Sequence, residues 1–317
     1  MPTMTFTIRR FVEAKSFSRD YSFEYMAGNT VLDGLIFIKE KLDPSLAFTA
    51  SCRNGVCGAC ALRVNGQAVL ACETAIESLA ARYHSARLTI APLGNFTVLR
   101  DLVVDWQPKL DRMKQVKPWL IPQDAFSADT GCRQSQTDFD KIRGYTDCIL
   151  CGACVSECSK LAADSADFLE PFAFVKAQKY VADSRDDAPL KHLDPAIQAG
   201  LWRCMHCEEC TAKCPKSLDP AEDIAKLRVM AFKKAMVNSA GAQHAQAFYE
   251  DINDIGRLNE AKLAIRTDGI MKSLTRVGLA YRLMKVDKLD PFHLPEPIKN
   301  ISKVQKILKA AKEADKS

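Results

Sequence analysis

Two stretches decide how this chain is read: Cys148-Ile149-Leu150-Cys151-Gly152-Ala153-Cys154-Val155-Ser156-Glu157-Cys158 and Cys204-Met205-His206-Cys207-Glu208-Glu209-Cys210-Thr211-Ala212-Lys213-Cys214-Pro215. Each is a complete Cys-x2-Cys-x2-Cys-x3-Cys run, the spacing that presents thiolates to a 4Fe-4S cluster. The second run carries the proline that often follows the fourth cysteine, and the first has Ser159 in its place. Two full runs imply two cubane sites. In two-cluster proteins of this spacing the fourth cysteine of each run serves the other cluster. Cys148, Cys151, Cys154 and Cys214 are therefore expected to form one 4Fe-4S site, and Cys158, Cys204, Cys207 and Cys210 the second. Such crossing would couple folding of the region to assembly of its clusters. Zinc is the competing use of eight thiolates, but the doubled spacing speaks against it. No Cys-x-x-Cys here is followed by histidine, so a c-type haem is excluded. His206 lies between two cysteines and is read as a loop histidine near the cluster, because the thiolate set is complete without it.

Upstream, Cys52-Arg53-Asn54-Gly55-Val56-Cys57-Gly58-Ala59-Cys60 with the later Cys72 has the Cys-x4-Cys-x2-Cys...Cys form of a 2Fe-2S site. Gly55 and Gly58 let the loop wrap, since no Cβ obstructs it and positive φ is open. Cys72 returns from a hairpin whose turn is Asn65-Gly66, a strong hairpin signal. Zinc is again the alternative, although zinc ribbons usually present two Cys-x2-Cys knuckles on separate hairpins.

The 317 residues include 13 cysteines, an odd number that a fully paired disulfide framework cannot use up. The composition is 47% hydrophobic and 26% charged, with no apolar run approaching the roughly 18–20 residues of a bilayer crossing. A transmembrane subunit is excluded on that reading. The formal charge of +5 comes without a long basic block interleaved with aromatics, so nucleic acid is not an expected partner. Met1-Pro2-Thr3-Met4 leads straight into the alternating Thr5-Phe6-Thr7-Ile8-Arg9-Arg10-Phe11, with no signal-peptide core. The thirteenth cysteine, Cys132, is expected to be a free thiol packed as a small apolar residue.

The expected fold class is α+β. Residues 1–105 read as a mixed sheet with one helix: strands over 5–11, 21–25 and 87–93, a helix over 30–42 and the Asn65-Gly66 hairpin. Residues 106–240 read as helices with cysteine-rich loops between them, and residues 241–317 as a helical extension. In the extension Ile301, Val304, Leu308 and Ala311 share one helical face. The lysines around it (Lys299, Lys303, Lys306, Lys309, Lys312 and Lys316) are read as a solvated face, since Glu313 and Asp315 dilute them and the apolar side lacks large aromatics.

A plant-type 2Fe-2S domain followed by a helical bacterial-type ferredoxin domain resembles the iron-sulfur subunit of succinate dehydrogenase and fumarate reductase, over residues 5 to about 240. The resemblance implies an N-terminal β-grasp domain facing an FAD flavoprotein and a helical domain facing a membrane-side partner. Electrons would pass from FAD through the 2Fe-2S site and the two cubanes to a quinone-linked acceptor, and the substrate site would lie on the flavoprotein. Common members hold a 3Fe-4S cluster in the last site, lacking a cysteine where Cys207 stands here. They also place a histidine at the position of Met205 and tryptophans shortly after the first run, where this chain has Ser159-Lys160-Leu161-Ala162-Ala163.

With Cys207 present, a 4Fe-4S cluster is expected instead, and the usual quinone pocket is not. The pattern is similar to the non-classical subgroup that includes methylmenaquinol:fumarate reductases, whose third subunit carries cysteine-rich CCG domains. The segment Phe248-Tyr249-Glu250-Asp251-Ile252-Asn253-Asp254-Ile255-Gly256-Arg257-Leu258-Asn259-Glu260 is similar to one in heterodisulfide-reductase-type subunits, which makes the extension an expected partner contact. A thiol-linked fumarate reductase or a heterodisulfide-type enzyme is the alternative setting. The expected location is peripheral on the cytoplasmic face of the membrane, or the periplasmic face if the chain is co-exported with a twin-arginine-signal flavoprotein.

Overall fold

The computed structural model describes residues 1–122, 129, 131–288 and 295–314. The chain forms two compact units, Met1–Leu227 and Arg228–Ser317.

The first unit opens with a five-stranded mixed sheet: β1 (Thr3–Val12), β2 (Lys15–Glu24), β3 (Ala61–Val64), β4 (Gln67–Leu70) and β5 (Arg87–Ala91), in the order β2-β1-β5-β3-β4. β1 runs antiparallel to β2, with Phe6 opposite Tyr21, and parallel to β5, with Phe6 opposite Leu88. Alternation along β1 sends Met4, Phe6 and Ile8 inward, where they meet Leu88, Ile90, Leu62 and Val64. Helix Val31–Phe37 closes the core with Val31, Leu32 and Leu35. It starts on a capping box, since Thr30 accepts from the Asp33 N–H while the Asp33 side chain accepts from the Thr30 N–H. The helix lies so close to the sheet that a Cβ on Gly34 would stand 2.7 Å from the Phe6 ring. A further helix, Ile76–Tyr83, which the sequence reading did not separate from the loop, buries only Ile76 and Leu79.

β2 is longer than the expected 21–25 because only Tyr21 and Phe23 of its ten residues face the core. The rest is exposed and carries no alternating apolar signal. The turn joining it to β1 uses Glu13 and Ala14, both at positive φ, with no glycine or asparagine to announce it. At Asn65-Gly66 both residues take positive φ, as the hairpin reading required.

Beneath the sheet end, Arg10 is buried with two carboxylates. Its Nη1 donates to Asp43 at 2.6 Å and its Nε to Asp101 at 2.9 Å. Tyr21 Oη donates to Asp43 at 2.6 Å, and Asp101 also accepts the backbone N–H groups of Phe11 and Ala47. This cluster pins the segment that leads into the first cysteine loop. Burial opposes ionisation of Asp43, but hydrogen bonds from Ser45, Tyr21 and Arg10 outweigh it and hold the carboxyl well below the usual range. At Asp101 burial is likewise outweighed, by Arg10 and the Ala47 and Phe11 N–H groups.

After a two-stranded ribbon, Val98–Arg100 with Val103–Val104, the rest of the first unit is mainly helical and packs on Pro171–Val181, where Phe172, Ala173, Phe174, Val175, Ala177 and Val181 are buried. Proline opens this helix, where its missing N–H costs nothing. In the second unit Ala240–Ile255 is capped by Ser239 and ends on Gly256 at positive φ. Glu260–Leu274 is capped by Asn259, whose own N–H donates to the buried Asp251. Val277–Lys285 and Ile301–Ala314 follow. Of the lysines near the C-terminus, Lys316 lies outside the described residues.

Replacing Arg10 by methionine should cost about 3–5 kcal/mol, because Asp43 and Asp101 would stay buried without their counter-ion. A denaturant titration reads this directly. Both carboxyls are more acidic folded than unfolded, so their stabilisation is complete above the ordinary carboxylate pKa of about 4 and is lost as pH falls below it. In Asp101→Asn, the acid-induced loss of stability should be shallower than in the wild type.

Candidate iron-sulfur sites

The loop after Phe48 folds its backbone inward on sulfur. The N–H groups of Asn54, Val56 and Cys57 reach Cys52 Sγ at 3.4, 3.4 and 3.3 Å, and the Gly55 N–H reaches Cys72 Sγ at 3.2 Å. The backbone donors, led by Asn54, bring the exposed Cys52 thiol down to about 6. Cys60 sits at the buried end of the loop, and burial pushes its thiol up to about 11. Both loop glycines have positive φ. A Cβ on Gly55 would fall 1.9 Å from Glu73 Oε1, and one on Gly58 would fall 2.8 Å from Cys151 Cα.

That second contact joins two sites. Cys148, Cys151, Cys154 and Cys214 line one cavity with Ile149, Phe172, Val175 and Pro215. Cys158, Cys204, Cys207 and Cys210 line another with Phe168, Met205 and Ile224. Each cavity thus takes three sulfurs from one run and one from the other. Among the described residues no three His, Cys, Asp or Glu side chains are placed to hold a single metal ion. Burial is the main reason the Cys151 and Cys210 thiols are pushed up, to about 11 and about 12, and it likewise holds the Cys154 thiol well above its ordinary value. Neighbouring sulfurs add to the shift in each case. Such crowded thiols give up their protons when a cationic group takes their place.

The two runs repeat one backbone. Leu150 and His206, each just before the second cysteine, have φ of 51° and 56°, while Gly152 and Glu208, each just after it, have φ of 80° and 62°. A one-turn helix then follows in both, Ala153–Ser156 and Glu209–Ala212. His206 is exposed, and its backbone N–H donates to Cys204 Sγ at 3.4 Å.

Several supporting residues carry no motif. Asn95 Nδ2 donates to the carbonyls of Val155 at 2.8 Å, Cys158 at 3.1 Å and Ser156 at 3.3 Å, satisfying the end of the first run's helical turn. Gly94 N–H donates to Ser156 Oγ, and Trp106 packs between Phe96 and Phe172 over Gly152. The Glu73 and Lys216 side chains, each next to or near a site cysteine, stand 3.9 Å apart. Cys132 is half-buried and unpaired with other cysteines.

Soft thiols in three quartets, with backbone N–H groups aimed at sulfur and glycines where a Cβ would intrude, suit iron-sulfur clusters. The architecture is that of an electron-transfer protein with one 2Fe-2S domain and one dicluster domain. Comparison with known proteins agrees: a 2Fe-2S iron-sulfur cluster binding domain family matches residues 5–111, and a 4Fe-4S dicluster domain family matches residues 144–218. The chain is 45% identical to the 8-methylmenaquinol:fumarate reductase iron-sulfur subunit of Wolinella succinogenes, over 99% of this chain and 100% of that one. It is 38% identical to a mitochondrial succinate dehydrogenase [ubiquinone] iron-sulfur subunit of Oryza sativa subsp. japonica, over 70% of this chain and 80% of the other. A chain of the Mycobacterium smegmatis Sdh1 complex has the same fold, with a TM-score of 0.67 at 23% identity, over 74% of this chain and 97% of that one.

The chain belongs to the iron-sulfur subunits of the succinate dehydrogenase and fumarate reductase family. It is an electron-transfer subunit of an oxidoreductase complex, with one 2Fe-2S and two 4Fe-4S clusters as cofactors. The α+β class and the order of the two ferredoxin domains stand as expected.

Gly58→Ala should strain the φ of 73° and drive a Cβ into the Cys151 backbone, a cost of about 1–3 kcal/mol. Iron and sulfide content should fall in the purified variant. Gly144→Ala, with nothing within 4 Å of its Cβ and no positive φ, should retain the wild-type content.

Proposed function

We propose that this chain relays electrons between an FAD flavoprotein and a quinone-linked, membrane-side subunit with CCG domains, in a methylmenaquinol:fumarate reductase-like complex. The observation that carries the reading is the contact of Gly58 with Cys151, which sets the first cysteine loop directly against the next thiol quartet. Cys52, Cys57, Cys60 and Cys72 hold the 2Fe-2S group; Cys148, Cys151, Cys154 and Cys214 hold the first cubane; Cys158, Cys204, Cys207 and Cys210 hold the second. When bound, these groups supply one-electron chemistry. The chain's residues supply thiolate ligation, N–H donors to sulfur and exclusion of water, and no general acid or base is required of them. The division is residues 1–105, 106–240 and 241–317, the last a contact for the membrane-side partner.

Support for the fumarate-linked setting comes from the near-complete span of the Wolinella relative, whose name gives it a methylated menaquinol. Exposed Met205 and helix Ser159–Ala163 stand where other members have the histidine and tryptophans of a quinone pocket, which favours an indirect link to quinone. No described helix is long and apolar enough to cross a membrane. In this reading the chain sits peripherally on the cytoplasmic face, with the periplasmic face as the alternative if it is co-exported with a twin-arginine-signal flavoprotein.

In the native complex, both succinate-dependent dye reduction and fumarate reduction by a reduced quinol analogue should fall when this subunit is depleted; loss of neither would overturn the proposal. Cys207→Ser should release the fourth iron of the last site and give a 3Fe-4S electron-spin signal after oxidation. A stoichiometric 3Fe-4S signal in the wild type would instead exclude Cys207 as a ligand.

A further inference from the structure

Within the second unit, Gly269 breaks helix Glu260–Leu274 with φ 77° and ψ 169°, a conformation open in practice only to glycine. Beyond the break the character changes. Ile270, Met271, Leu274, Val277, Leu279, Tyr281 and Val286 are all exposed, Met271 at 80% and Ile270 at 68%, and no residue of Val277–Lys285 is buried. Between 270 and 288 the basic residues are Lys272, Arg276, Arg282, Lys285 and Lys288, against the single acid Asp287. Arg276 is bound back across the break to Asp268 at 2.6 Å, whereas Lys272, Arg282 and Lys285 face no carboxylate among the described residues. On Val277–Lys285 the sequence places Val277, Ala280, Tyr281 and Met284 along one stripe with Arg282 and Lys285 beside it, and Lys285 Nζ lies 4.8 Å from the centroid of the Tyr281 ring at the border.

We infer that Gly269–Lys288 is a membrane-surface arm that lies on anionic lipid, with its apolar side chains among the acyl chains and its basic side chains at the headgroups. A water-facing helix would gain nothing from so many exposed aliphatic residues, and an apolar core would gain nothing from cations without a carboxylate partner. A basic amphipathic helix at an anionic interface uses both. With no described helix able to cross a bilayer, this chain's own hold on one would be of this peripheral kind. The inference gives Gly269–Lys288 to lipid and leaves the rest of 241–317 to the partner contact, and lipid binding is read without turnover.

Helix Ile301–Ala314 supplies an internal comparison. It has a similar lysine density, but Ile307 is its one strongly exposed large aliphatic residue.

The test is cosedimentation of the cluster-loaded full chain with vesicles of phosphatidylcholine alone or mixed with phosphatidylglycerol. The wild type should bind the mixed vesicles and not the neutral ones, with affinity falling as salt rises. The triple variant Lys272→Glu, Arg282→Glu, Lys285→Glu should bind roughly a hundredfold more weakly, at about fivefold per cation removed. The triple variant Ile270→Ser, Met271→Ser, Val277→Ser should lose the part of binding that survives high salt. Lys303→Glu, Lys306→Glu, Lys309→Glu should bind within a few fold of wild type. All the changed side chains are exposed, so cluster absorbance and the unfolding midpoint should hold and serve as the folding control.

Three results would overturn the inference: no binding of the wild type to anionic vesicles; binding lost in the 303–309 variant but kept in the arm variants; or arm variants that bind vesicles normally yet no longer copurify with a partner subunit. The last would make the arm a protein-docking face. Dye-linked activity of the complex, which needs no vesicle, separates these outcomes from failure of the relay proposal.

Discussion

Backbone against backbone at Gly58 and Cys151 is the contact on which the first unit depends. A Cβ on Gly58 would stand 2.8 Å from both Cα and Cβ of Cys151, which leaves no room to absorb a misfit, so each loop must arrive in register from its own scaffold. On one side the register comes from the sheet, through Arg10 and Asp101, whose carboxylate also receives the Ala47 N–H just upstream of the cysteine loop. On the other it comes from Asn95 and Trp106, which fasten the first ferredoxin run to the segment after β5. The apolar core accordingly continues from the sheet into Ile149, Cys151 and Ala153. Charge burial here serves geometry more than stability, since a buried ion pair offsets much of its own gain by desolvation.

The chemistry was legible in the sequence because thiolate spacing is a covalent pattern that survives any folding detail. The three quartets and the crossing between runs were readable from spacing, and the structure brings the sulfurs of the two crossed quartets around common cavities. What was not legible lies in residues acting through position. Asn95 reads as an ordinary loop asparagine, yet it accounts for three carbonyls. Leu150, His206 and Glu208 take left-handed backbone without being glycine, held there by the surrounding loop rather than by preference. The Glu13-Ala14 turn and the outer half of β2 were missed for a related reason: a strand lying in solvent on both sides has no apolar period to detect.

The near-identity of the two runs at the backbone has a chemical corollary. Equal φ patterns around unequal side chains mean that the sites differ chiefly in what surrounds them, Phe172 and Val175 at one and Met205, Phe168 and Ile224 at the other. Differences in redox behaviour between them would then come from burial and polarity more than from the hold on iron. Cys207 and Met205 lie at the exposed side of the second cavity, while at the first Cys151 is buried and Cys154 half-buried.

Crossing of the runs also has a meaning in time. A chain leaves the ribosome in order, and Cys52 to Cys72 are all out early, with the sheet strand β5 soon after. The cavity around Cys148, Cys151 and Cys154 has no fourth sulfur until Cys214 emerges, and the cavity that Cys158 enters waits for the same stretch. The first quartet can be filled on a nascent chain, whereas the other two become complete almost together and only near the end of the first unit. For the machinery that delivers iron and sulfide, the proposed ligand sets would make this protein one early client followed by one late, indivisible pair.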